Sequence, residues 1–304
     1  MATHTTWIRH SQAVALGFAL AAGTAAAQQD LSKVEIKTTK IAGNFYTLEG
    51  SGGTVGVLTG PDGVLMVDSQ FAPLTEKIVA AIKQVSDGRI RFMINTHVHG
   101  DHTGGNENLG KMGVTILARE ELRGRLAKPA PGANGAPGVP APAAALPMLT
   151  YSGPLTIHMD EEDVQVIPIP VAHTDGDTIV KFPAADVIMT GDFYRSVGYP
   201  NIDRANGGSL KGMLDGLNQV VTLAGPRTKI IPGHGETVDK TAVAAQRDMI
   251  IAIRDKVARM VQQGMTVEQV TAAKPTADYD AKVPGVGTTG ERFIGQLYAE
   301  LKQR

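Results

Sequence analysis

The segment Ile94-Asn95-Thr96-His97-Val98-His99-Gly100-Asp101-His102-Thr103-Gly104-Gly105-Asn106 places three imidazoles and a carboxylate within six positions, directly after the mostly apolar run Ile90–Ile94. That run has a β-branched residue at each end and Phe92 inside, which predicts a buried strand. His97 and His99 are two apart, so in extended chain their side chains share a face. Gly100 lets the chain bend sharply before Asp101 and His102. Neutral nitrogens beside an anionic oxygen are the donors a borderline divalent ion takes.

The same pattern ends three further strand-like runs. His173 lies just past Val164–Val171, in Val171-Ala172-His173-Thr174-Asp175-Gly176-Asp177. Asp192 closes Val187-Ile188-Met189-Thr190-Gly191-Asp192, and His234 sits in Ile230-Ile231-Pro232-Gly233-His234-Gly235. Of eight histidines, His4 and His10 fall in a leader and His158 alone stands outside these motifs. Loops at strand ends on a rigid scaffold are where sites are built.

The order His-x-His-x-Asp-His, lone His, Gly-Asp and Gly-His-Gly resembles the metallo-β-lactamase-fold hydrolases, from about Ile41 to about Glu236. The resemblance implies an α/β fold, a four-layer αββα sandwich, here with additional C-terminal helices. It implies a buried structural role for Asp68, at the end of Gly63–Val67. Carried over residue by residue, it gives two Zn2+ ions, other divalent metals being possible. His97, His99 and His173 would hold one, Asp101, His102 and His234 the second, with Asp192 bridging.

Such a pair of ions shares a hydroxide, lowers the pKa of its parent water and polarises a carbonyl. The implied enzyme is a metal-dependent hydrolase that opens a cyclic amide or ester, with β-lactams as the leading substrate. Asp101, a ligand, is also the catalytic candidate that orients the nucleophile or passes on its proton. A lactonase or glyoxalase-type thioesterase is the alternative, because a bridging Asp is more typical of those relatives. A mono-iron sulfur dioxygenase-like enzyme is a third reading. No Cys occurs, which excludes the β-lactamase subclasses with a thiolate ligand. Ser69 and Ser209 lack the Gly-x-Ser-x-Gly context of a serine nucleophile. The family's His-Thr-Pro-Gly-His is here His173-Thr174-Asp175-Gly176-Asp177. Asp175 and Asp177 are either acceptors for ligand imidazoles or turn formers. Tyr194 and Arg195 follow Asp192 and either contact substrate or pack.

Residues 1–27 read as a secretory signal peptide. Arg9 is the basic n-region, Ala13–Ala22 a short apolar stretch and Ala25-Ala26-Ala27 the cleavage site. A single hydrolase domain, 28–304, would follow in the periplasm or outside the cell, without a membrane anchor. The net charge of −1 with dispersed Lys and Arg points to a small-molecule substrate and not to nucleic acid. The absence of Cys also means no disulfides in an exported protein, which leaves stability to the core and metals.

Strands are predicted at Val34–Lys37, Ile41–Leu48, Thr54–Leu58 and Val64–Val67, and a helix over Ala72–Val85. Lys128–Pro147, rich in Pro, Gly and Ala, is either a lid or a surface insertion. Helices are predicted from Ser209, as N-cap, to Leu223, from Asp239 to Gln263, and from Thr289 to Leu301. Gly264 ends the second, and Thr266 with Gln269 forms a capping box. The apolar stripes of these helices are core contacts or, alternatively, a dimer face.

Overall fold

The computed structural model describes residues 30–131, 135–283, 285 and 287–303; the leader, with Trp7, lies outside them. Seven strands form one sheet in sequence order: β1 Lys37–Ala42, β2 Phe45–Glu49, β3 Val55–Gly60, β4 Gly63–Val67, β5 Ile90–Ile94, β6 Thr115–Arg119 and β7 Leu149–Tyr151. The second sheet runs in the order β12 Lys229–Ile231, β11 Val187–Met189, β10 Thr178–Phe182, β9 Glu162–Pro168 and β8 Leu155–Met159. The helices are α1 Thr75–Lys83, α2 Gly100–Thr103, α3 Asn106–Lys111, α4 Glu120–Ala127, α5 Leu210–Leu223, α6 Lys240–Gln262, α7 Val267–Ala272, α8 Ala277–Asp280 and α9 Gly290–Leu301.

The alternation of side chains along each strand builds the layers. On β4, Val64 and Met66 face α1, where they meet Ile78 and Ile82. Leu65 and Val67 face the other sheet and pack with Val166, Val180 and Phe182. On β11 and β12, Ile188 and Ile230 turn outward to Leu217 of α5, Ile250 of α6 and Phe293 of α9. The result is the αββα sandwich that the motifs imply, and the stripes of α5, α6 and α9 are core contacts.

Strand direction decides where the ligand residues go. β4 and β5 are parallel, as are β11 and β12. β9 is antiparallel to β10, and β10 to β11, so two reversals leave β9 running with β11. The C-terminal ends of β4, β5, β9, β11 and β12 therefore open toward one edge of the sandwich, the usual place for a ligand on such sheets.

Local structure departs from the sequence reading in several places. Val34–Lys37 is not a strand: Leu31–Lys33 is a 3-10 turn and β1 starts only at Lys37. The Val34 carbonyl accepts from Lys77 Nζ at 2.6 Å. Ile41–Leu48 is split by a turn at Gly43-Asn44 into the end of β1 and most of β2. Ala72–Leu74 is a 3-10 turn before α1, with Pro73 at its start. Val171 does not continue β9; it is exposed and left-handed, with φ +46°. Within Lys128–Pro147, residues near the C-terminal end are fixed to the body: Ala141 N–H donates to Leu126 O, and Ala145 O accepts from Asn106 Nδ2 at 3.1 Å. β7 and β8 follow, short strands that the sequence did not announce. Ser209 caps α5, the Thr266–Gln269 capping box opens α7, and Gly264 lies just beyond α6. No described helix is long and apolar enough to cross a membrane.

At the end of the sandwich away from the candidate metal ligands, the β3–β4 and β8–β9 turns clasp each other. Asp160 Oδ1 accepts from Asp62 N–H at 2.7 Å, and Asp62 Oδ2 accepts from Asp160 N–H at 2.9 Å. Asp160 Oδ2 is buried without a partner among the described residues. Burial pushes the Asp160 pKa up, against the Asp62 N–H bond, and the Asp62 charge adds to the rise. A carboxyl whose folded pKa exceeds its unfolded value loses stability as pH rises through the unfolded pKa toward neutrality. Asn keeps the acceptor, cannot ionise and tolerates the left-handed φ of +56°. Asp160→Asn is therefore expected to raise the melting temperature at pH 7, with the gain vanishing toward pH 3. Thermal unfolding in chelator at both pH values checks this; a loss at pH 7 would show that the clasp needs the anion.

Candidate metal centre

All seven residues singled out in the sequence converge at the sandwich edge. His97, His99, His173 and Asp192 present donor atoms within 4.8 Å of one another, and so do Asp101, His102 and His234. His97 and His99 lie on the segment leaving β5, with His99 as N-cap of α2, which carries Asp101 and His102. Asp192 stands between the groups: Oδ1 is 3.2 Å from His102 Nε2, and Oδ2 is 3.3 Å from His234 Nε2 and 3.9 Å from His173 Nε2.

Two glycines make this approach possible. A Cβ on Gly53 would lie 2.1 Å from the His102 ring, and one on Gly233 would lie 2.0 Å from Asp192 Oδ1. The Gly233 loop is pinned from both sheets, since Thr54 N–H donates to Gly233 O and Gly233 N–H to Gly191 O.

The outer hydrogen bonds fix the tautomers. Carboxylates and carbonyls only accept, so a ring nitrogen facing one must carry the proton. His102 Nδ1–H donates to Asp68 Oδ2 at 2.8 Å, His173 Nδ1–H to Asn201 O at 2.7 Å, and His99 Nε2–H to Asp203 Oδ2 at 2.7 Å. Thr96 Oγ1 spends its own hydrogen on Asp68 Oδ2 at 2.7 Å, so it accepts from His97 Nδ1–H at 3.1 Å. His97, His99 and His173 thus turn a lone pair inward, whereas His102 Nε2 faces Asp192 Oδ1 at 3.2 Å, an approach that takes a proton or a cation between them. Among the described residues, His97 Nε2 is buried with no hydrogen-bond partner, as is Asp192 Oδ1. His99 Nδ1 and His173 Nε2 face each other at 3.0 Å, and His102 Nε2 and His234 Nε2 at 3.4 Å. Buried acceptors converging in this way are costly without a cation among them. The donor set therefore fits a metal ion.

Electrostatics separates the two groups. Burial, with help from His102, holds His97 well below the usual imidazole pKa, and burial takes His173 down to about 4. For His102 burial opposes charge, but the carboxylates of Asp192 and Asp68 outweigh it and hold the pKa well above the usual value. A proton on His102 Nε2 and a divalent ion compete for one lone pair. Burial would raise the pKa of Asp192, but His102 outweighs it and keeps this carboxyl well below its usual range. Asp101 is likewise lowered, because the hydrogen bond to His234 overcomes partial burial.

Asp68 takes the buried role expected of it, accepting from Thr96 N–H at 2.8 Å as well as from Thr96 Oγ1 and His102. Neither Asp175 nor Asp177 reaches an imidazole. Asp177 closes its own turn by accepting from Thr174 N–H and Oγ1, while Asp175 pairs with Arg125 at 2.6 Å. Tyr194 is buried in the helical core and does not line the site. Arg195 points its guanidinium toward Gly287, and its carbonyl accepts from Gln246. Ser69 is buried, shares its one hydroxyl hydrogen between His102 O and Asn106 Oδ1 and accepts from Gly105 N–H, so it serves the fold of this loop. Sequence reasoning missed Asp203 and Asn201, which hold His99 and His173. Asp203 lies 104 positions from His99 in a turn-rich stretch that carries no ligand pattern.

Fold and site together define a metal-dependent hydrolase of two stacked sheets. The chain matches the metallo-beta-lactamase superfamily over residues 48–234 and belongs to it. It is 22% identical to a metallo-beta-lactamase type 2 of Bacillus cereus over 195 residues, 64% of this chain and 71% of that protein. Among solved structures, a stereoselective inverting sec-alkylsulfatase from Pseudomonas sp. superposes with TM-score 0.70 at 16% identity, over 86% of this chain and 50% of its own. This chain thus spans half the length of that sulfatase. A metallo-beta-lactamase from Pontibacter korlensis superposes with TM-score 0.60 at 16% identity, over 71% of this chain and 99% of its own.

Proposed function

We propose that the chain is an exported hydrolase of cyclic amides or esters that works with two zinc ions, and that β-lactams are its leading substrate class. The observation that carries the metal reading is the set of inward lone pairs on His97, His99 and His173, each fixed by an outward N–H bond, with the Asp192 carboxylate between them and His102 and His234. His97, His99 and His173 would hold one ion and Asp101, His102 and His234 the other, with the Asp192 carboxylate shared. Bound there, such ions supply Lewis acidity and acidify water at neutral pH.

The chain's own residues do the rest. His99, Asp101 and His234 keep 25%, 26% and 19% of their side chains exposed, whereas His97, His102 and His173 are buried. Substrate therefore approaches on the side of the first three. A cleft of about 440 Å³ lined by Gly52, Gly53, Thr54, His234 and Glu236 opens beside His234 and has room for a small molecule. Asp101 Oδ2, 3.1 Å from His234 Nε2 and kept anionic, is placed to orient water as a hydrogen-bond acceptor. Asp192 offsets the positive charge between the groups. Asp68, Asn201 and Asp203 hold the rings so that no ligand must reorient during the reaction.

The Bacillus cereus relative supports the β-lactam reading. The second reading, a lactonase or thioesterase, rests on Asp192 occupying the shared position. The test is metal analysis of the purified protein lacking residues 1–27, followed by turnover of a chromogenic cephalosporin, a lactone, a glutathione thioester and a secondary alkyl sulfate. Two zinc ions per chain with cephalosporin turnover supports the leading reading. Two zinc ions with lactone or thioester turnover alone transfers it to the second, and alkyl sulfate turnover alone removes both substrate classes. A chain that takes up no divalent ion overturns the metal reading. Periplasmic export is tested separately by fractionating cells that express the full chain.

A further inference from the structure

Arg125 stands outside the ligand set and touches neither group, yet it joins the two turns that hold His173 and His99. From α4 its Nε and Nη2 donate to the Asp175 carboxylate at 3.0 and 2.6 Å, while Nη1 donates to Ala205 O at 2.8 Å. Asp175 is two residues past His173. Ala205 lies in the 3-10 turn Arg204–Asn206, whose N-cap is Asp203. The turns are also joined directly: Asp175 N–H donates to Asn206 O, and Asp203 N–H donates to His173 O, both at 2.9 Å. Asp203 Oδ2 receives Asn206 Nδ2 at 2.7 Å, which aims the carboxylate at His99 Nε2.

We infer that Arg125 is a positioning residue for the His97–His99–His173 group. By spanning Asp175 and Ala205 with one rigid fork, it sets the register between the His173 turn and the turn that presents Asp203 to His99. The inference rests on the metal reading above. A partly exposed ion pair of this kind contributes little to folding. Its planar, bidentate geometry, in contrast, fixes two loops relative to each other in a way a point charge cannot. The fold would be insensitive to its loss and the ligand geometry sensitive. It also gives Asp175, where the family pattern has Pro, a definite task.

The experiment uses Arg125→Gln and Arg125→Lys in the full domain. The readouts are first-equivalent zinc affinity by competition with a chromogenic chelator, the visible spectrum of the cobalt-substituted protein, and melting temperature in chelator. Arg125→Gln should weaken the first equivalent by about 10-fold, the lower end of losses for groups behind a metal ligand. Its cobalt bands should shift while the melting temperature changes little. Arg125→Lys should recover only part of the affinity, because an ammonium cannot span both acceptors. Wild-type affinity and spectrum in Arg125→Gln overturn the inference, whether or not the melting temperature falls. Full recovery by Arg125→Lys overturns the role assigned to the fork. A wild-type chain that binds no divalent ion overturns the metal reading and this inference with it.

Discussion

Asp192→Asn is expected to lower kcat/KM by more than about 100-fold and to reduce the metal bound per chain. Groups that merely stand behind a ligand cost about 10–100-fold when replaced, and Asp192 is closer to the chemistry than any of those. Its two oxygens face His102 on one side and His234 and His173 on the other, at 3.2 to 3.9 Å. Asn would preserve the shape but remove the charge, and it would turn an NH2 toward lone pairs that an ion should fill. Steady-state kinetics on the best substrate, with metal content measured on the same sample, decides the matter. Activity within tenfold of wild type at unchanged metal content would show that Asp192 does not serve both groups.

Asp68→Ala is expected to cost about 3–5 kcal/mol of folding stability, the usual result of removing one member of a buried charged pair. At about 2–4 °C per kcal/mol for a domain of this size, the melting temperature in chelator should fall by about 10 °C. Asp68 is 1% exposed and accepts from three donors, so its loss strands Thr96 N–H, Thr96 Oγ1 and His102 Nδ1–H in the interior. Its backbone is left-handed, with φ +64°, a conformation that Ala adopts at a further cost. Because His102 would also lose the bond that fixes its tautomer, affinity at the Asp101–His102–His234 group should fall. A melting temperature within about 2 °C of wild type would mean that the buried donors find other partners.

The strand ends were legible because short runs such as Gly63–Val67 and Ile90–Ile94 are closed by residues that the core rejects. A sandwich of this kind must expel polar groups at its edges. His97, His99, Asp101, His102, His173, Asp192 and His234 therefore stood out as candidates at strand ends, and their order matched the family's motif. The long helices declared themselves by their stripes, and Ser209 and Thr266 by local capping chemistry. β7 and β8 were missed because both are edge strands that leave much of their length exposed, with burial too intermittent for an apolar run, and β7 has only three residues. Val34–Lys37 had the look of a strand, but its apolar residues pack on α1 and its carbonyl at Val34 goes to Lys77.

By itself the amino-acid sequence singled out the candidate metal ligands, through the resemblance their order bears to a family, and residue type and local period placed them at the ends of strands. Tertiary structure alone decided that those ends meet at one edge, because this depends on the parallel and twice-reversed pairing of strands distant in the chain. It alone showed that Asp68, Asn201 and Asp203 fix the orientation of His102, His173 and His99, and that Asp175 belongs to Arg125. Those bonds join residues 28 to 104 positions apart, and hydrogen bonding across such separations leaves no period or motif in the chain.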